Sequence, residues 1–179
     1  MATVKNPSVL IPIDILHCGA STGERPLMKL WHRLSCRFTS ADRQYNPNRA
    51  IHTIIAFPVH KTMMAVEMIG PSQGLRISAL NRTWDGLERN IISISRAPNI
   101  NRDAAISRIV QDLNRWLGYD TEEALRYAFP FLKNDPSRPI CSSYAYQVLS
   151  ESGYTFPQGT GMAPVDLQNC PTLVDVKKW

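Results

Sequence analysis

Three residues far apart in the chain have the types needed to do chemistry together: Cys141, His52 and Glu67. Cys141 follows Pro139-Ile140 and heads "CSSYAYQVLSESG", a run that reads as a helix stopping at Gly153. The unpaired N–H groups at a helix start, with the helix dipole, lower a thiol's pKa and favour the nucleophilic thiolate. The same position also suits an inert small residue, because free cysteine is among the most buried residue types. A partner base separates the two readings.

His52 lies in "AIHTIIAF", where a polar ring among Ile51, Ile54 and Ile55 needs a reason. A half-buried histidine satisfied by a backbone group is one; a general base is the other. "AIHTIIAF" and "TMMAVEMI" flank Pro58-Val59-His60-Lys61, which predicts a hairpin with a four-residue loop. If Phe57 pairs with Thr62, His52 faces Glu67 directly, and side chains so opposed share one face with Cβ atoms about 4.5–5.5 Å apart. Glu67 then orients His52 and stabilises its charged form, completing what a thiol hydrolase requires. An exposed strand carboxylate is the plainer role for Glu67, and a one-residue slip of the pairing would separate the two side chains.

The elements that must position these residues can be read in outline. "SVLIPIDIL" (8–16), interrupted by Pro12, predicts an edge strand or bulge, followed by a loop in "HCGASTG". From Pro26, the residues Leu27, Leu30, Trp31 and Leu34 recur at helical spacing. "GLRISAL" and "NIISISR" predict two further strands, for a sheet of four or five strands, mostly antiparallel. "NRDAAISRIVQDLNRWLG" predicts a helix with Ile106, Ile109, Val110 and Leu113 on one face and Gly118 as its stop. "TEEALRYAF" suits a short helix, and the tail is mostly loop with one helical turn after Pro164.

Composition bounds the rest. At 179 residues with 44% hydrophobic residues, the chain suits a single domain spanning 1–179 with a sizeable core. No run of 18 or more apolar residues is present, and two prolines and an Asp break "MATVKNPSVLIPID", so neither a transmembrane segment nor a signal peptide is expected and the chain is read as cytoplasmic or otherwise soluble and intracellular. The four cysteines form no C-x-x-C pair, which suits free thiols. The net charge of +5 is spread along the chain; Arg33 and Arg37 lie near Trp31, but no reading helix or stacking motif goes with them, and no specific nucleic acid is expected.

His17, Cys18, His32 and Cys36 are all zinc-ligand types, with His32 and Cys36 on one helix face. The adjacent His17-Cys18 pair is awkward and the spacing fits no common zinc motif, so no metal or other cofactor is expected. Trp31, Trp84, Trp116 and Trp179 read as core or rim aromatics, Met63-Met64 as filler of the hairpin faces, and His60 as a loop residue.

The order of these pieces carries a resemblance. A histidine on a strand, an acid on the next, and a cysteine much later at a helix start is the order of the circularly permuted papain-like fold, and the chain resembles the YiiX-like branch of the NlpC-related thiol hydrolases over most of its length. "IPIDIL" is similar to that family's opening strand with its Gly-Asp-Leu-like signal, "AIHTIIAF" to its histidine strand, and "AVEMIG" to its acid strand. "IISISRAPNINRDAAISRIVQDLNRWLGYD" resembles the strand, helix and Gly-Tyr-Asp segment that follow. "ICSSYAYQVLSESG" resembles the nucleophile helix and "GTGMAPVDLQNCP" the closing Pro-Asp-Leu segment.

The resemblance implies an α+β fold, a mostly antiparallel sheet packed against helices, with Cys141 as nucleophile, His52 as base and Glu67 as orienting acid. It also implies Tyr119 and Ser142 as oxyanion- or substrate-binding residues, with the Cys141 N–H as a further oxyanion donor. The activity it implies is a cysteine peptidase or amidase acting on an amide- or acyl-bearing substrate such as a peptide, a peptidoglycan fragment or a lipid. A thiol acyltransferase, a lipid-acyl hydrolase and a catalytically silent binding module are the alternatives. Two positions depart from the family: Ile13 stands where it usually has glycine before Asp14, and Ser143 where many members carry glutamate.

Overall fold

The computed structural model of the protein describes residues 10–19, 50–82, 88–118 and 139–178. The Pro26 helix, His32, Cys36, Trp31, Trp84, Trp179, Tyr119 and the "TEEALRYAF" helix lie outside these residues.

The described elements are, in order, β1 (Ile15–Cys18), β2 (His52–Val59), β3 (Thr62–Ile69), a single turn α1 (Gly70–Gln73), β4 (Gly74–Ala79), β5 (Ile91–Arg96), α2 (Arg102–Asn114), α3 (Cys141–Glu151), α4 (Pro164–Gln168) and β6 (Val174–Lys178). The strands make one sheet in the order β4-β3-β2-β1-β5-β6, and each neighbouring pair is antiparallel. The architecture is therefore α+β, as the sequence predicts, with a sheet one strand larger than expected because β6 also joins it.

The first strand is not at an edge. β1 lies between β2 and β5, starts at Ile15 and takes in His17 and Cys18, which the sequence suggested were loop. Pro12 precedes it in a turn, where the Ile11 N–H donates to the Asp14 carboxylate at 3.0 Å. Arg96 grips that buried carboxylate from β5 with two bonds, 2.8 and 2.9 Å. Ile13, inside the turn, has φ of 69°. That is the left-handed region glycine enters freely and a β-branched residue enters only under strain. Ile13 thus stands where the backbone favours glycine-like geometry. Ile13 is buried in the helix-side core, and this burial offsets the strain.

Both faces of the sheet are buried. Ile15, Ile55, Phe57, Val66, Met68 and Leu75 pack with Ile109 of α2 and with Tyr144, Ala145, Val148 and Leu149 of α3. On the other face Leu16, Cys18, Ile54, Ala56, Ala65, Ile91 and Ile94 form a second cluster. The two-residue alternation of a strand accounts for this division.

α2 forms where expected, with the Asn101 carboxamide oxygen accepting the Ala104 N–H at 3.0 Å as its N-cap. Its end and its faces differ from the expectation. The chain turns at Trp116, whose φ is 55°, rather than at Gly118. Val110 is exposed while Asp112 is buried, because the Asp112 carboxylate accepts hydrogen bonds from Arg108 Nε (2.6 Å) and from the Tyr144 hydroxyl (3.2 Å), tying α2 to α3. Trp116 is exposed, with Arg76 stacked on its ring at 3.9 Å.

Candidate active site

The hairpin that carries His52 and Glu67 is tighter than predicted. Val59 pairs with Thr62 and Phe57 with Met64, so the turn holds only His60-Lys61, with His60 at φ of 52°. Relative to the expected pairing the register moves by two residues, so Glu67 lies one diagonal step from His52 instead of opposite it. A shift of two leaves every side chain on its original face, whereas a shift of one would have reversed them. Diagonal partners remain within reach of long side chains. His52 Nε2 lies 2.9 Å from Glu67 Oε2.

The Glu67 carboxylate is held on all sides. Arg89, just before β5, donates to both oxygens, NH1 to Oε2 and NH2 to Oε1, each at 2.8 Å. The Ser78 hydroxyl, from β4, donates to Oε1 at 2.5 Å. Arg89 NH2 also donates to the Arg82 carbonyl at 2.6 Å. Burial would push the Glu67 carboxyl up, but the Arg89 and His52 bonds outweigh it and hold it well below the usual carboxylate range. Sequence reasoning missed Arg89. No local motif marks it, since only the folded ladder brings it beneath a residue 22 positions earlier.

His52 opens β2 and Cys141 opens α3, which packs across β2, so the two first residues meet at one end of the sheet. The ring and the sulfur lie close enough for each to shift the other's ionisation. Nε2 is committed to Glu67, which leaves Nδ1 as the nitrogen that can serve the sulfur. Burial lowers the imidazolium's pKa, but the Cys141 charge and the bonds to Cys141 and Glu67 more than reverse this and raise it to about 10. The Cys141 thiol moves the other way. Burial pushes it up, while the His52 charge and hydrogen bonds from His52 and from the Thr53 and Ser142 N–H groups bring it below its ordinary value. Thiolate and imidazolium therefore stabilise each other, which is the reactive form of a cysteine. The His52 side chain keeps 29% of its surface exposed against 3% for Glu67, so the ring has an open side and the carboxylate does not.

Ser143 stands in the first turn of α3. Its hydroxyl accepts the Ile140 N–H at 3.0 Å, the back-reaching bond that a glutamate makes in a capping box. Ser142 is fully buried beside the sulfur, and Tyr119 lies outside the described residues.

His17 and Cys18 point to opposite faces of the sheet. His17 Nε2 meets the Ser95 hydroxyl at 3.0 Å on the helix side, while the Cys18 thiol lies near Arg89 on the other side and is pushed up to about 12, mainly by burial. The two cannot ligate one ion, which removes the zinc reading of this pair; among the described residues no group of three or more His, Cys, Asp or Glu side chains is placed to hold a metal. No described helix is long and apolar enough to cross a membrane.

No protein-family model matches this chain, and no curated protein matches it.

Proposed function

We propose that the protein is a cysteine-dependent amide or peptide hydrolase of permuted papain-like fold, with Cys141 as nucleophile, His52 as acid–base and Glu67 as the group that orients His52. The observation that carries this reading is the row Arg89–Glu67–His52, joined at 2.8 and 2.9 Å and ending beside Cys141, the one cysteine among the described residues that begins a helix.

The chemistry follows from the geometry. The thiolate attacks the amide carbon, forming a C–S bond as the carbonyl π pair moves to oxygen. Unpaired N–H groups at the start of α3, that of Cys141 among them, stabilise the oxyanion. Collapse expels the amine, which takes the proton from His52 Nδ1 and leaves a thioester. Water, deprotonated by the now neutral imidazole, attacks the thioester carbon, and collapse breaks the C–S bond, releasing the carboxylic acid and regenerating the thiolate and imidazolium. Glu67 keeps the ring in place through both steps, and Arg89 and Ser78 keep Glu67 in place.

A panel of peptide amides, acyl esters and thioesters, followed by intact-mass analysis, tests this. A thioester adduct on Cys141, with turnover reduced at least about a thousandfold in Cys141→Ala, is the expected result. Transfer of the acyl group to an added amine or alcohol faster than to water would identify an acyltransferase. Full turnover by Cys141→Ala would exclude the proposal.

A further inference from the structure

Among the described residues four buried polar side-chain atoms have no hydrogen-bond partner: His17 Nδ1, Thr53 Oγ1, Ser142 Oγ and Arg89 Nε. Buried polar groups are almost always paired, so an orphan asks for an unseen partner. Arg89 belongs to the other face of the sheet, but the remaining three converge. His17 and Thr53 are directly paired across β1 and β2, which sets their side chains side by side on the helix face. Ser142 sits in the first turn of α3, which packs across β2, and the Thr53 and Ser142 amides both act to lower the Cys141 thiol's pKa, which brings the start of α3 against that pair. All three are essentially sealed, with residue exposures of 0% for His17, 1% for Thr53 and 0% for Ser142. Ser93, the β5 partner of His17, adds a third buried hydroxyl, reached at 3.5 Å by Gln168 Nε2.

The chemistry of this lining is specific. It is neutral, because burial drives His17 to about 4 with only Asp175 opposing. It offers two hydroxyls and one imidazole nitrogen, each able to accept or donate. Such neutral, two-way groups suit a water molecule, which needs two to four such partners and nothing more.

We propose that His17 Nδ1, Thr53 Oγ1 and Ser142 Oγ bind one internal water beside the nucleophile, and that this water positions the thiolate. Thr53 and Ser142 are the residues whose N–H groups act to lower the Cys141 thiol's pKa. A water joining their hydroxyls to the immobile His17 ring fixes both amides in the orientation the sulfur needs. His17, Thr53 and Ser142 are then positioning residues, and the inference stands whatever substrate the thiolate attacks.

A crystal structure of the full chain at about 1.5 Å tests the site itself. A water peak within about 2.6–3.2 Å of at least two of the three atoms is expected. An empty cavity, or side chains turned to protein partners, overturns the proposal. The positioning role is read from the alkylation rate of Cys141 at pH 6, assigned by peptide mass analysis. Thr53→Val and Ser142→Ala keep both backbone amides, and each is expected to slow alkylation roughly threefold to tenfold, the worth of one hydrogen bond. The double variant is expected to be no slower than the slower single one, because both lose the same water. Unchanged rates, or effects that simply multiply, contradict the shared water. The wild-type electron density does not depend on whether any variant folds.

Discussion

His17 and His52 stand on neighbouring strands one residue out of register, on opposite faces of the sheet, and their surroundings hold them in opposite charge states. His52 has the Glu67 carboxylate on one nitrogen and the Cys141 sulfur close by, and its pKa rises to about 10. His17 has a serine hydroxyl on one nitrogen and no protein partner on the other, and burial takes it down to about 4. Burial opposes charge at both rings. What separates them is whether an anion lies within hydrogen-bond reach, so the site's charge is made by Glu67 and Cys141, and Glu67 in turn is kept ionised by Arg89.

The largest way to break this contrast is to remove the anion that anchors it. Glu67→Gln leaves Arg89, whose side chain is 1% exposed, without its counter-charge. Breaking a buried pair from one side costs about 3–5 kcal/mol. A fall in Tm on the order of 10 °C is expected by calorimetry, together with a lower His52 pKa by NMR. Arg89→Met is expected to destabilise by a similar amount and to bring the Glu67 carboxyl back up; a variant as stable as the parent would show that the pair does not matter.

Acid titration sharpens the contrast next. For His17 the folded pKa lies below the unfolded one, so between pH 6.5 and about 4 the unfolded chain binds more protons and stability falls as pH falls. The window is worth about 3 kcal/mol. Glu67 has the sign of a depressed carboxylate: its contribution is complete above the unfolded value near 4.5 and is lost below it. Denaturant titrations are expected to show loss beginning near pH 6.5, and His17→Phe is expected to remove that first loss while leaving the second.

Two smaller effects follow. Ile13→Gly relieves strain of about 1–3 kcal/mol but removes a buried side chain worth about 2–5 kcal/mol; a net loss of about 1–2 kcal/mol is expected from chemical denaturation. Ser78→Ala removes one of the bonds to Glu67 and is expected to cost about 1 kcal/mol.

How much of this was legible in the sequence differs from residue to residue. Cys141 at a helix start and His52 with Glu67 on one face were readable, because helix starts and two-residue alternation are local patterns. The hairpin register was misread by two residues, since Pro58-Val59 looks like loop chemistry yet continues β2, and the site survived because an even shift preserves faces. β1 was displaced because Pro12 marks a turn held by Asp14 and Arg96, residues 82 apart. Arg89 and the polar group around His17 left no signal, since both exist only through pairing between distant strands. Val110 and Asp112 exchanged their expected places because Tyr144, on another helix, supplies the partner that buries Asp112.

The most direct test of the central claim is the pH dependence of iodoacetamide alkylation at Cys141, resolved from the other cysteines by peptide mass analysis. If the imidazolium and the two backbone amides hold the thiolate, the midpoint lies well below the ordinary thiol range of about 8.5 and moves up towards it in His52→Gln. A midpoint at or above that range in the parent protein, unmoved by His52→Gln, would contradict the account.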